Sequence, residues 1–219
     1  MRPPALRLCL LLITLLSSLA LRLSAQTTAP AAKPAPYAEE SFVIERIESV
    51  YSFAADGTGF RDRTFVVRVQ SEAAVRALGV VAIPYAGNSE QVEVLYARVR
   101  RPDGTVIDTD TTGSLDMPEP VTREAPFYSD LKEKQLPIRS LRVGDTLEWK
   151  ARITRTKAEA PGQFWGQEGF TDGAVSLDES IELRVPKDSY VNVWSPTVKP
   201  TETVDGARNA SRLDRAGQR

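Results

Sequence analysis

The chain has 219 residues, with 28 basic and 29 acidic side chains for a formal net charge of −1, no histidine and one cysteine, Cys9. Cys9 lies in an N-terminal stretch that we expect to be removed, so the mature chain would hold neither cysteine nor histidine. It could not form a Ser-His-Asp triad, a Cys-His nucleophile pair or a zinc site built from cysteine and histidine. Basic and acidic residues are interspersed and form no basic block. Nucleic acid is therefore not an expected partner.

Residues 1–25 have the pattern of a secretory signal peptide. Arg2 and Arg7 precede an apolar run from Leu8 to Leu21, which is shorter than the ~20 residues that a bilayer span needs. Cleavage is expected after Ala25, which predicts an exported protein, periplasmic or extracellular. No later run is long enough to span a membrane, so none is expected in the mature chain.

The rest of the chain is predicted to hold one folded domain. Residues 26–38 are rich in alanine and proline and predict a disordered tether, because closely spaced prolines interrupt helices and sheets. Residues 39–204 have the usual length of a single domain. Residues 205–219 lack strand alternation and an adequate apolar face, so we expect a disordered tail or the end of a truncated product.

Hydrophobic residues in the domain recur mostly with period two. Apolar residues alternate with charged ones from Leu147 to Ile153 and again from Ile181 to Val185, which is typical of half-exposed strands. Two other segments, 64–69 and 92–97, carry apolar residues on both faces and predict central strands. In the second segment, Val92, Val94 and Tyr96 are expected on the face opposite to Leu95 and Ala97.

Turn signals separate these strands. Asp56-Gly57, Pro102-Asp103-Gly104 and Gly144-Asp145 are typical of tight turns. The segment from Ser71 to Leu78 predicts a short helix with Ser71 as its N-cap. Many short strands and one short helix predict an all-β fold, a two-sheet antiparallel β-sandwich. An open or distorted barrel is the alternative.

A succession of short motifs runs through the domain: DGTG at 56–59, VQSE at 69–72, PDG at 102–104, APFYSDLK at 125–132, GD at 144–145 and PGQFW at 161–165. This succession resembles an uncharacterised bacterial domain that lies N-terminal to transglutaminase-like domains in exported proteins. The resemblance covers roughly residues 40–200. It implies a β-rich module without a known activity, no catalytic residues to carry over, and a transglutaminase-like domain or another cell-envelope protein as partner.

Four carboxylates match the spacing of a calcium loop: Asp108, Asp110, Asp116 and Glu119. Gly113 occupies the sharp-turn position of that pattern. Thr112 and Pro118 depart from it, and the flanking segments do not predict helices. An acidic loop between strands is therefore the alternative, and no other cofactor is expected.

A second candidate site combines aromatic and polar residues: Phe127, Tyr128, Asp130 and Lys132. Aromatic side chains beside charged ones can form a recognition strip. Alternatively, Phe127 and Leu131 anchor a long loop to the core, while Ser129 and Asp130 cap its turns through local backbone hydrogen bonds.

A third segment, residues 162–170, places Phe164, Trp165 and Phe170 before Asp172, Asp178 and Glu179. Aromatic rings near carboxylates are compatible with sugar binding or glycoside hydrolysis. The alternative is that the three aromatic residues belong to the core or the edge of a sheet.

Together these patterns predict a non-catalytic extracytoplasmic module. The resemblance implies that it is the accessory or interaction domain of a transglutaminase-like protein, either complete or truncated. A carbohydrate- or peptide-binding module is the first alternative. A hydrolase that uses only carboxylates is the second, since the expected mature chain retains no cysteine or histidine nucleophile or base.

Overall fold

The computed structural model describes residues 36–120, 122 and 130–218, in which eleven strands form two sheets. The strands are β1 (Phe42–Phe53), β2 (Gly59–Val69), β3 (Val80–Ala86), β4 (Glu90–Arg100), β5 (Val106–Asp108), β6 (Leu115–Pro118), β7 (Leu131–Pro137), β8 (Thr146–Arg155), β9 (Ser176–Pro186), β10 (Thr201–Asp205) and β11 (Arg208–Gln218). Helix α1 spans Glu72–Ala77. The predicted signal peptide and most of the predicted tether lie outside the described residues.

The larger sheet has eight strands in the order β10-β11-β9-β1-β2-β8-β4-β5, and the smaller has three in the order β3-β7-β6. Neighbouring strands are antiparallel except for the β1-β9 pair, which is parallel. The prediction of an all-β fold with two antiparallel-rich sheets and one short helix is therefore confirmed.

The core lies between the three-stranded sheet and one part of the eight-stranded sheet. Val67 and Leu147 from the larger sheet share one buried cluster with Ile83 and Leu136 from the smaller sheet. Ala74 of α1 belongs to the same cluster. We call the side of the larger sheet that contributes to this core its inner face, and the opposite side its outer face.

Local sequence signals explain several elements. The side chain of Ser71 accepts a hydrogen bond from the backbone N–H of Ala74, as expected for the N-cap of α1. On β8, Leu147, Ala151 and Ile153 are buried, in agreement with the predicted alternation. Strand β2 lies between β1 and β8, which confirms its predicted central position.

Strand β4 departs from its predicted alternation. Its register against β8 shifts between Val94 and Tyr96, and such a bulge reverses the faces of all residues that follow it. Ala97 is therefore buried in the core, whereas the Tyr96 hydroxyl donates a hydrogen bond to Glu148 on the outer face. The prediction that placed Tyr96 with Val94 was wrong. β4 lies between β8 and the short edge strand β5, so it is an interior strand, one position from the edge of the sheet.

The C-terminal segment is folded, so the prediction of a disordered tail beginning at residue 205 was wrong for residues 205–218. Strands β10 and β11 form an antiparallel hairpin, and β11 pairs with β9 along its length. Leu213 is the buried hydrophobic residue of β11 among its described side chains. Backbone pairing with β9 and ion pairs from Arg212 and Arg215 hold the strand instead, and neither produces an apolar pattern in the sequence.

Replacement of the buried Leu136 by alanine tests the core between the sheets. Leu136 is 1% exposed, so Leu136→Ala should lower the free energy of unfolding by about 2–5 kcal/mol through lost burial and a residual cavity. Urea denaturation measures this change. Leu115→Ala is the matched control, since Leu115 is 60% exposed, and it should change stability by less than about 0.5 kcal/mol. Equal losses in the two variants would contradict the assignment of the core.

Candidate functional site

The four carboxylates of the calcium pattern do not converge. Asp110 accepts hydrogen bonds from the backbone N–H and the Oγ1 of Thr112, at 2.9 and 2.7 Å. Asp116 accepts from the Tyr85 hydroxyl at 2.7 Å and from Lys134 Nζ at 2.8 Å. Within residues 36–120, 122 and 130–218, no three acidic side chains form a group that could hold a metal ion.

Asp108 and Glu119 lie outside that turn. Asp108 is the last residue of β5, and Glu119 follows β6, where its backbone N–H donates to the carbonyl of Leu131 at 3.1 Å. Hydrogen bonds from the side chain and backbone of Thr112 hold the pKa of Asp110 below its usual value. The acidic side chains with described partners in this loop thus stabilise local turns and strand pairs.

The second candidate site is described in part, because Phe127 and Tyr128 lie outside the described residues. The Asp130 carboxylate accepts a hydrogen bond from the backbone N–H of Asn88 at 2.9 Å. Its backbone carbonyl accepts another from Gly87 at 3.0 Å. Both contacts are made to the turn between β3 and β4. Lys132 lies on β7 opposite Tyr85 and is exposed.

The third segment covers the inner face of the larger sheet beyond the main core. Residues 156–175 connect β8 to β9, and the Phe164 ring stacks on the ring of Phe53 with 4.7 Å between centroids. Phe53 is buried, as expected for part of a core. Trp165 is 59% exposed and donates from Nε1 to Glu159 at 2.6 Å. Trp165 is therefore not a core residue, which was one of the two structural positions expected for it; the other was the edge of a sheet.

Glu168, on this connection, is the centre of a cluster of polar side chains that we call the Glu168 cluster: Tyr51, Arg61, Arg63 and Glu168. Tyr51 on β1 and Arg61 on β2 are directly opposite in the strand register. Arg61 and Arg63 share the inner face with Phe65 and Val67, since residues two apart on a strand point the same way. Two arginines therefore lie on the same face of β2 as its buried apolar residues.

The Glu168 carboxylate contacts side chains from both β1 and β2. Arg61 Nη1 is 3.1 Å from Glu168 Oε2 and also 3.1 Å from the Tyr51 hydroxyl oxygen. The Tyr51 hydroxyl donates a short hydrogen bond to the same carboxylate oxygen. Arg63 Nη1 lies 3.7 Å from Oε1. The Glu168 side chain is only 12% exposed, so these ion pairs are less screened by solvent than those on an open surface.

Burial raises the pKa of Tyr51 to about 12, with Glu168 adding to the effect and Arg61 opposing it. At neutral pH Tyr51 keeps its proton and acts as a hydrogen-bond donor. A group with so high a pKa is poorly matched to general acid-base catalysis at neutral pH. The arrangement can fasten the connection to the sheet, because one carboxylate binds side chains from two strands.

A second link ties the same connection to β9 and β11. Glu179 is 3% exposed and accepts a hydrogen bond from the Thr171 N–H at 2.9 Å. Arg215 Nη2 lies 3.3 Å from the same carboxylate, and the Arg215 guanidinium lies 4.9 Å from the centroid of the Phe170 ring. Burial disfavours the charged form of Glu179, but the hydrogen bond from Thr171 and the charge of Arg215 help to hold its pKa below the usual value.

The carboxylates considered for glycoside hydrolysis each lie next to an arginine side chain. Asp178 pairs with Arg46 at 3.2 Å, and both side chains are more than half exposed. Asp172 is 96% exposed at 3.6 Å from Arg215, which Glu179 also contacts. On the outer face, Asp62 is one of the residues that line a depression of ≈ 240 Å³. Its carboxylate accepts hydrogen bonds from Arg152 Nε at 2.6 Å and from Arg152 Nη2 at 2.8 Å. These contacts give each acid a structural partner.

Sequence reasoning singled out the segment that carries Glu168 but missed Tyr51, Arg61 and Arg63. A usable signal was present. Arg61 and Arg63 occupy the same alternate positions as Phe65, Val67 and Val69, so their side chains had to face the interior. A buried charge requires a counter-charge, which pointed to an acidic residue in another segment.

Residues 55–214 match the domain of unknown function DUF3857, a family with a solved structure. The chain therefore belongs to the DUF3857 family. This confirms the resemblance to an uncharacterised domain. No curated protein matches the chain. No helix within the described residues is both long and apolar enough to cross a membrane.

Two solved structures are similar to this chain at low identity. A candidate protease from Parabacteroides distasonis ATCC 8503 is similar over 81% of this chain and 36% of its own, with 16% identity and a TM-score of 0.69. The M1 zinc metallopeptidase of Deinococcus radiodurans is similar over 81% of this chain and 40% of its own, with 12% identity and a TM-score of 0.45. The chain thus spans well under half the length of these two proteins.

The raised pKa of Tyr51 predicts a pH dependence of stability. The folded-state pKa of about 12 exceeds the ordinary value of 10.0, so the unfolded chain loses this proton first as pH rises. The stabilisation is fully present below pH 10 and is lost between pH 10 and 12, by at most about 2.7 kcal/mol. Unfolding by urea at several pH values should show this loss in the wild type and a smaller one in Tyr51→Phe. Parallel curves would contradict it.

Asp130→Ala separates the two interpretations of the second site. Removal of the acceptor for the Asn88 N–H should lower the free energy of unfolding by roughly 1–2 kcal/mol. Lys132→Ala should have little effect, because Lys132 is exposed. Thermal unfolding of both variants measures the difference. Wild-type stability in Asp130→Ala would favour a role of this segment in binding instead.

Proposed function

We propose that this chain is the non-catalytic β-sandwich module of an exported protein and that it docks onto a transglutaminase-like domain. The observation that carries the proposal is a pair of exposed aromatic side chains on the connection between β9 and β10. Tyr190 is 89% exposed and Trp194 is 81% exposed. Large aromatic side chains are enriched in protein interfaces and are costly to leave in water.

These two residues lie on a connection that we call the aromatic segment, residues 187–200, between β9 and β10. Its first residue is fastened to the C-terminal hairpin, since the Lys187 N–H donates to the carbonyl of Ala207 at 2.9 Å. Asn209 Nδ2 returns a hydrogen bond to the Lys187 carbonyl at 2.9 Å. The segment's other end continues directly into β10. The fold therefore presents the aromatic side chains from a connection that is anchored at both ends.

The contacts of the acidic side chains support a non-catalytic role. Glu168, Glu179 and Asp62 each bind arginine side chains that join separate elements. The Glu148 carboxylate likewise accepts hydrogen bonds from Arg98 Nη2 at 2.8 Å and from the Tyr96 hydroxyl at 3.0 Å. A carboxylate in such contacts is engaged in holding the fold. Catalysis by these acids would require breaking the ion pairs that hold separate elements together.

The comparison with the Parabacteroides distasonis protein supports the choice of partner. This chain is similar to 36% of that protein, so most of that polypeptide lies outside the shared fold. Its name suggests a protease, and transglutaminase-like domains have a papain-like cysteine site. A β-sandwich next to such a domain would supply a docking or positioning surface, while the chemistry would remain in the partner.

Calorimetric titration with a transglutaminase-like domain, taken from a protein in which it follows a DUF3857 domain, tests the proposal. We expect binding, and we expect the double variant Tyr190→Ser, Trp194→Ser to weaken it at least about tenfold, as loss of aromatic anchors commonly does. Leu115→Ser is the control, because Leu115 is exposed on the other sheet.

Lack of binding by the wild-type chain would overturn the proposed partner. Binding to a glycan array by the chain alone, abolished by the same double variant, would instead favour the carbohydrate-binding alternative. Hydrolysis of a glycan by the chain would contradict the non-catalytic role.

A further inference from the structure

Strand β10 is an edge strand whose described side chains, those of residues 201–204, are all exposed. It is the last strand of the eight-stranded sheet on the side of β11. Thr201, Glu202, Thr203 and Val204 are all exposed, and Val204 is 66% exposed although it is hydrophobic. Strands of this kind gain little from burial. The backbone ladder to β11 is therefore the main contact of β10 among the described residues.

The other sheet edges in the described part of the chain are protected against pairing. Edge strand β3 contains Pro84 and edge strand β6 ends in Pro118, and proline cannot donate a hydrogen bond to a neighbouring strand. The remaining edge, β5, has only three residues. Short strands and prolines are common devices against edge-to-edge association. β10 has five residues and no proline, so it is the edge that remains open.

The hairpin geometry shows which backbone groups of β10 are free. Gly206 and Ala207 form a two-residue turn between the paired residues Asp205 and Arg208, with a φ of 59° at Gly206. The residues that flank a two-residue turn form a hydrogen-bonded pair, and bonded and non-bonded pairs then alternate along the ladder. The N–H and C=O groups of Glu202 and Val204 therefore point away from β11, toward the open edge.

We propose that an extended, basic segment of a partner polypeptide pairs with β10 and extends the larger sheet by one strand. The inference rests on the proposed function, because it specifies how the partner is held. Such strand addition takes its affinity from the backbone groups of Glu202 and Val204. It would also cover the exposed side chain of Val204.

Charge selects this occupant over a second copy of the chain. The only charged residues of β10 are acidic, Glu202 and Asp205. Two β10 strands in antiparallel pairing would bring four acidic residues onto one short ribbon, which is unfavourable. A partner strand that carries lysine or arginine would instead place opposite charges across the new ladder.

Amide hydrogen exchange of the wild-type chain, followed by NMR, tests strand addition with a defined probe. The probe is a ten-residue synthetic peptide that alternates valine and threonine and carries two lysines. At saturation we expect exchange of the Glu202 and Val204 amides to slow at least about tenfold, because both would become hydrogen-bonded. The Thr203 amide is already bonded to β11 and should change much less. A peptide with glutamates in place of the lysines should bind more weakly.

Two variants at one position separate backbone pairing from other contacts. Val204→Pro removes an N–H that points to the open edge and leaves the bonds to β11 in place, so the peptide's affinity should fall at least about tenfold. Val204→Thr keeps the N–H and should bind like the wild type. Retained protection of the Ala210 amide, which lies opposite Thr203, verifies that the hairpin is intact in both variants.

The outcomes distinguish this inference from the proposed function. No slowing at Glu202 and Val204 with the peptide, or equal binding by Val204→Pro, would overturn strand addition. Binding of the transglutaminase-like domain that is insensitive to Val204→Pro would overturn strand addition while leaving the proposed partner in place. Peptide pairing at β10 without binding of that domain would retain the strand-addition site and reject the partner.

Discussion

The inner face of an eight-stranded sheet is too wide for a three-stranded sheet to cover. The smaller sheet packs over parts of β1, β2, β4 and β8, where the main hydrophobic cluster lies. The distal half of β1 and the strands β9 and β11 extend beyond it. This uncovered area must be shielded from water by another segment, since apolar side chains such as Phe53 and Leu213 lie there. The requirement explains why the connection from β8 to β9 is long and folds back over the sheet.

The connection is held by charge as well as by apolar contact. Phe164 packs on Phe53, and farther along the segment Glu168 contacts Arg61 and the Thr171 N–H contacts Glu179. A buried ion pair is not a large source of net stability, because desolvation offsets much of the attraction. Its partners are nevertheless costly to separate. The pairs therefore favour one position of the connection over others that would leave a buried charge unpaired.

The sequence predicted those parts of the fold that depend on local patterns. Alternation along β8, the turn at Asp56-Gly57 and the N-cap at Ser71 are properties of a few consecutive residues, and each was found as expected. The bulge in β4 was not predictable, because an alternating pattern continues through it in the sequence. β11 was missed because its stability comes from pairing with β9, a partner more than twenty residues away.

The same distinction applies to the functional surfaces. The motif at 125–132 suggested a binding strip, but Asp130, one of its described residues, supports a turn of the fold. The exposed aromatic segment and the open edge of β10 lie in the part of the chain that has the weakest sequence signal. Local patterns report what a strand buries within its own domain. A strand that is completed by a partner has no such pattern, so weak alternation beside exposed aromatic residues is what an edge reserved for docking would produce. The C-terminal hairpin fits this description. Strand β11 is paired with β9, whereas the edge strand β10 buries none of its described side chains.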